Sequence, residues 1–152
     1  MRSCVPRPES IRRQGAEILN GLLANLDAFH RLAHNAHVMT TGMAFVGLHS
    51  LFQDTYETVF EHLDEVKERV RTLGFAPTYD IGAATIGTSV PDNTTSEKLV
   101  EMMFAAFETY TAQLDGAYEA VNELRLNGLA AVLQNRIADF EKLGWKNVAH
   151  VS

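Results

Sequence analysis

At 152 residues the chain is long enough for one domain with its own hydrophobic core and needs no covalent staple to fold. Hydrophobic residues at 46% and charged residues at 21% are the balance of an ordinary globular protein, and no apolar run reaches the roughly 18 residues that span a bilayer, so no membrane partner is expected. The single Cys4 excludes an intrachain disulfide, and a head without a hydrophobic leader points to a cytoplasmic setting.

A net charge of −6 weighs against nucleic-acid binding by the body of the domain. The charge is uneven, however. Arg2, Arg7, Arg12 and Arg13 place four of the 13 basic residues near the N-terminus. They are candidate DNA contacts, carried partly on a flexible tail of residues 1–8; the alternative is a plain solubilising tail.

After that head, the pattern predicts a helix over about 9–38, with Ile18, Leu22, Leu26, Phe29 and Ala33 at three- and four-residue steps. Thr40-Thr41-Gly42 breaks it. A second helix carries the clearest stripe: Phe45, Leu48, Phe52, Tyr56, Val59, Leu63, Val66, Val70 and Leu73, ending at Gly74. Residues 75–93 are punctuated by Pro77, Gly82, Gly87 and Pro91 and read as a crossing segment with one short helix near 80–88. Thr94 and Glu97 offer a capping box for a third helix reaching about Leu126. Asn127-Gly128 then reads as a tight turn into a fourth helix ending near Trp145. Four helices with a long crossover between the second and third predict an all-α, ferritin-like four-helix bundle over residues 9–147, with a short C-terminal tail at 148–152. Met102, Met103, Phe104 and Phe107, at helical spacing, read as core.

The informative residues are polar ones beside the apolar stripe of the second helix. His49, Gln53, Asp64 and Glu68 fall within a wedge of roughly 100° that flanks the core face. Half-buried acids and a histidine there need partners. His49 and Asp64 are 15 residues apart, about 22 Å along a helix, so one metal ion with bonds near 2 Å cannot reach both ends within one chain. Two copies of the helix packed antiparallel about a two-fold axis would bring His49 of one to Asp64 and Glu68 of the other. A two-fold contact is the commonest in homo-oligomers.

His37, His49, Asp64 and Glu68, with the flanking text His62-Leu63-Asp64-Glu65-Val66 and Glu68-Arg69, resemble the ferroxidase pattern of the Dps family, the DNA-binding proteins from starved cells. The likeness extends to Arg136-Ile137-Ala138-Asp139-Phe140-Glu141-Lys142 and Trp145, and spans most of residues 20–146. It implies a hollow homododecamer with intersubunit metal sites made of His37, His49, Gln53, Asp64 and Glu68. Each site would bind iron, up to two ions, oxidise Fe(II) with hydrogen peroxide, and feed a ferric oxide mineral core. Asp64 and Glu68 of one chain and His49 of its partner are the primary ligands so implied, His37 a secondary one. DNA binding is expected to be weak or absent.

Four positions depart from the family's pattern. Gln53 stands where an acid is usual, Val38 where a tryptophan is usual, and Asn127 and Ala131 where acids often line an iron pore. Gln53 motivates a rival reading, a shell or DNA-condensing scaffold with a weakened metal site. His30 and His34 share a face with His37 and read as packing residues rather than an accessory metal site. His62 reads as a bystander.

Overall fold

Pro8 sets the start of the first helix: its ring fixes φ at −53° and its carbonyl accepts the amides of Ile11 and Arg12. In a computed structural model of the protein, which describes residues 2–150, α1 runs Glu9–Met39, α2 Phe45–Thr72, α3 Ser96–Glu123 and α4 Asn127–Ala149. Met1 of the expected N-terminal tail, and Val151 and Ser152 of the expected C-terminal tail, lie outside the described residues. Among the described residues there is no strand, and no helix is long and apolar enough to cross a membrane. α1 packs chiefly on α2 and α3 on α4, and α1 also meets α3, which closes the expected all-α bundle.

Helix ends follow local chemistry, and three differ from expectation. α2 stops as the pattern predicts. Gly74 takes φ 98°, and the amides of Phe75 and Gly74 return to the carbonyls of Val70 and Arg71, a Schellman closure that glycine permits. α3 closes the same way, through Leu126 to Val121 and Arg125 to Asn122, but the left-handed residue is Arg125 at φ 55°. The turn therefore precedes Asn127-Gly128, which form the first turn of α4 and not the connection. At the start of α3, Thr95 is the cap, accepting the Lys98 amide at 3.3 Å. The Thr94 hydroxyl is already engaged on the Pro91 carbonyl, so the expected Thr94–Glu97 capping box is displaced by one residue. α4 continues through Ala149, four residues past the expected end.

The short helix expected near 80–88 is only a 3-10 turn, Ile81–Ala83, in a crossover from residue 74 to 95; Asp80 caps it on the Gly82 amide at 2.9 Å. What fixes the crossover is Asn25, buried on α1. Its carbonyl oxygen accepts the amides of Thr85 at 2.8 Å and Ile86 at 3.2 Å, and its NH2 reaches Gln113 on α3 at 3.0 Å. One amide thus joins two helices and the connection, and Ile86 enters the core beside it. Losing a buried partner of several donors costs on the order of 1–3 kcal/mol, so Asn25 is a structural constraint and not a surface accident.

The α2 stripe is buried as expected from Leu48 to Leu73, apart from half-buried Tyr56, while Phe45 is exposed at the first turn. Phe29, Phe107, Tyr110 and Phe140 form an aromatic centre, with Phe29 and Phe107 edge to face at 4.9 Å. Met103 and Phe107 are core as read and Met102 is half-buried, but Phe104 is exposed on the outer face of α3.

His62 is no bystander to the fold. It is 0% exposed, and its Nε2 shares a hydrogen bond of 2.8 Å with the Tyr110 hydroxyl. Its Nδ1 has no hydrogen-bond partner, because Glu65, 3.9 Å away, is committed to Arg136 at 2.7 Å. Burial, aided by the Arg136 charge, pushes the imidazole from 6.5 down to about 3. Between those values the unfolded chain binds a proton that the folded chain refuses. Stability therefore falls as pH drops from 6.5 towards 3 and is indifferent to His62 above that window. The slope is at most about 1.4 kcal/mol per pH unit. His62→Gln, which keeps an acceptor for Tyr110, is expected to flatten the acid limb of urea-unfolding stability against pH. An unchanged limb would assign the acid sensitivity to other groups.

Candidate metal centre

His37 lies in the last turn of α1 and His49 at the start of the second turn of α2, joined by the reversal at Thr40–Ala44. Thr40 ends α1 in an extended conformation with its hydroxyl on the Ala36 carbonyl at 2.7 Å, and Gly42 turns the chain at φ 80°. The reversal stacks the two imidazoles at 3.7 Å between centroids, 24° from parallel. Their hydrogen bonds are reciprocal: His37 Nδ1 meets the His49 carbonyl at 2.8 Å, and His49 Nδ1 meets the His37 carbonyl at 3.0 Å. A carbonyl can only accept, so each Nδ1 carries a proton, and in the neutral ring Nε2 is then the nitrogen with the free lone pair. Fixing one ring nitrogen by an N–H to carbonyl bond is how proteins orient imidazole for a metal.

Aromatic rings wall this pair. Phe45 stacks on His49 at 4.7 Å, and Tyr56 stands edge-on to His37 at 5.3 Å and His34 at 4.9 Å. His30, His34 and His37 form a ladder along α1 with centroids 6.4 and 6.3 Å apart. Burial lowers the His30 pKa, with His34 adding to the effect. Val38, where the family usually has a tryptophan, is 65% exposed. His150 rests its ring on Gly47, where no Cβ fits, and so covers the first turn of α2.

Gln53, Asp64 and Glu68, expected to be half-buried, are instead exposed on the continuing face of α2. Gln53 donates its NH2 to Glu57 at 2.9 Å, which leaves its carbonyl oxygen as the donor atom open to a cation. Glu57 went unnoticed in the spacing argument, although it sits one turn beyond Gln53 on the same face and supplies an anionic oxygen there. Asp64 and Glu68 enter no ion pair among the described residues. One chain brings His37 and His49 together and leaves Asp64 and Glu68 at the other end of the face. Among the described residues no three of His, Cys, Asp and Glu gather to hold a metal. The donor set on that face, imidazole nitrogen with carboxylate and amide oxygen, is one that iron accepts in either oxidation state.

The four arginines of the head part company. Arg12 donates to the Leu73 carbonyl; Arg13 pairs with Glu9 at 2.7 Å and lies over Phe75 at 4.7 Å. Arg7 donates to the Arg125 carbonyl at 2.9 Å, and Arg2 is exposed. The segment expected as a tail is drawn onto the bundle end, with the Ser3 hydroxyl on the Thr72 carbonyl and Val5 against the core.

The ferritin-like domain model matches residues 16–152. The DNA protection during starvation protein of Brevibacillus brevis is 28% identical over 139 residues, covering 90% of this chain and 93% of its own length. The protein of the same name from Mycolicibacterium smegmatis is 28% identical over 146 residues, covering 90% and 76%. Among solved structures, the Dps protein of Vibrio cholerae O1, described as belonging to a superfamily of ferritin-like diiron-carboxylate proteins, superposes with a TM-score of 0.90 at 25% identity, covering 100% and 98%. The Dps protein of Bacillus brevis gives 0.84 at 26%, covering 94% and 98%.

Proposed function

Because the chain belongs to the Dps family of ferritin-like proteins, we propose that it oxidises Fe(II) with hydrogen peroxide at sites shared between two subunits and stores the ferric product inside a closed homododecameric shell. The observation that supports this reading is the reciprocal lock of His37 on α1 and His49 on α2, which holds both rings by Nδ1 beside the α2 face that also bears Asp64 and Glu68.

In the mechanism, Fe(II) is the substrate: two ions each give one electron to one peroxide, which takes two protons and leaves as two waters. The residues supply the rest. Asp64 and Glu68 of one subunit present anionic oxygen, which favours Fe(III) over Fe(II) and so draws the oxidation forward. His49 of the facing subunit closes the site, and His37 stands behind it, held by the same pair of carbonyls. Gln53 adds a neutral oxygen and Glu57, beside it, a charge. Two-electron consumption of peroxide avoids hydroxyl radical, so DNA is protected chemically without being held.

Two measurements test this together. Sedimentation of the purified protein is expected to give a closed oligomer many times the 16.9 kDa chain, since a lone subunit lacks the carboxylate half of each site. Anaerobic Fe(II) titration should then show binding, followed by rapid oxidation on adding peroxide. A stable monomer, or an oligomer that binds no Fe(II), would sink the proposal; the second result would leave the scaffold reading.

A further inference from the structure

Where the head folds onto the ends of α2 and α3, it encloses a pocket of about 580 Å3 far along the fold from the histidine pair. Arg2, Arg7, Arg69, Arg71 and Arg125 line it, and no Asp or Glu is among its described lining residues. In a chain of net charge −6, five of the 13 basic residues therefore meet at one concavity. Arginine stays protonated at any physiological pH, so the charge is permanent. Arg2, Arg7, Arg69 and Arg125 enter no ion pair among the described residues.

The arrangement is built and not incidental. Arg7 is held by its donations to the Pro6 carbonyl at 2.8 Å and the Arg125 carbonyl at 2.9 Å, bonds that fix the guanidinium without neutralising it. Arg125 occupies the left-handed position that closes α3, a place where glycine is usual and a side chain is strained. Val5, Leu73, Leu126 and Leu129 make the floor apolar.

We propose that this pocket binds a small phosphorylated molecule with an apolar or aromatic body, of the nucleoside phosphate class. The phosphates lie against the arginine rim, whose planar forks match phosphoryl oxygens in pairs, and the base lies on the apolar floor. A free phosphate ion would leave the apolar floor bare, so the pocket is not matched to phosphate alone. It is instead of the size that takes small organic ligands. A DNA backbone would use the same chemistry, but it needs a continuous basic arm. The fold breaks that arm, with Arg12 turned onto a carbonyl and Arg13 matched by Glu9.

The test is calorimetry on the intact, metal-free protein with ADP, adenosine, inorganic phosphate and a short DNA duplex as separate probes. ADP is expected to bind saturably, and at least about tenfold more tightly than adenosine or phosphate alone. Arg69→Gln and Arg125→Asn, each alone, should weaken ADP at least about tenfold. Asparagine tolerates the left-handed backbone, so the turn is kept. Unchanged circular dichroism and sedimentation show that the fold and shell persist. The proposal is overturned if ADP gives no saturable heat, if phosphate alone binds as tightly, or if neither variant weakens ADP. A duplex that binds in place of ADP and is lost in both variants would assign the arginines to nucleic acid instead.

Discussion

Glu68→Ala is expected to slow peroxide-driven Fe(II) oxidation by at least about a hundredfold while the oligomer sediments as before. The side chain is exposed and enters no ion pair within the described part of its own chain, so truncation takes away one anionic oxygen and leaves the apolar stripe of α2 untouched. Asp54→Ala is the matched control. It removes a carboxylate from the same helix but from a position rotated about 100° from Gln53, and it should leave the rate unchanged. The measurement is stopped-flow absorbance of the ferric product. If Glu68→Ala oxidises iron at the parent rate, the carboxylate is not a ligand, and the weight passes to a shell whose metal chemistry is vestigial.

Gln53→Asp is expected to tighten Fe(II) binding about tenfold, because hard iron prefers anionic to neutral oxygen. The structure adds a condition that helical spacing alone did not supply. Gln53 spends its NH2 on Glu57, and an aspartate there would face Glu57 across one turn without that bond. Two like charges four residues apart destabilise a helix by a few tenths of a kcal/mol until a cation bridges them. The metal-free variant should therefore melt slightly below the parent, and added Fe(II) should raise its melting temperature by more than it raises the parent's. Anaerobic calorimetry checks the affinity directly. No gain for Gln53→Asp would mean that position 53 does not touch the iron, and that Glu57 supplies the charge unaided.

What could be read from the sequence divides by range. Helix spans within four residues of those observed followed from the stripe on α2, Gly74 and the Pro- and Gly-rich crossover, because those signals are local. The Thr94–Thr95 ambiguity is also local. It was decided by which hydroxyl the Pro91 carbonyl captured, a matter of one residue of register. Arg125 hid a turn because arginine carries no left-handed preference, so the neighbouring Asn127-Gly128 took the blame. Asn25 sits in an unbroken run of buried residues from Leu22 to Leu26, and its partner lies 60 positions away, beyond any window. His62 could have been found. It follows Val59 by three and precedes Val66 by four, which puts it on the core side of α2, well round the helix from His49. Helix spacing pointed to His49 and the resemblance to His37, but only the reversal at Thr40–Ala44 shows that they hold each other.

That mutual hold has an entropic side. A free histidine samples several rotamers, and freezing one on ligand arrival costs roughly 0.5–1.5 kcal/mol. Here both rings are frozen when the end of α1 meets the start of α2, long before any ion is present. For the two rings together the saving is on the order of 1–3 kcal/mol, between roughly five- and a hundredfold in affinity. Folding therefore delivers the imidazole half of the centre already preorganised. On the proposed two-subunit site the carboxylate half, exposed and without an ion pair among the described residues, comes from a second subunit. Under that proposal assembly, and not the folding of a single chain, would be the step at which the metal affinity is switched on.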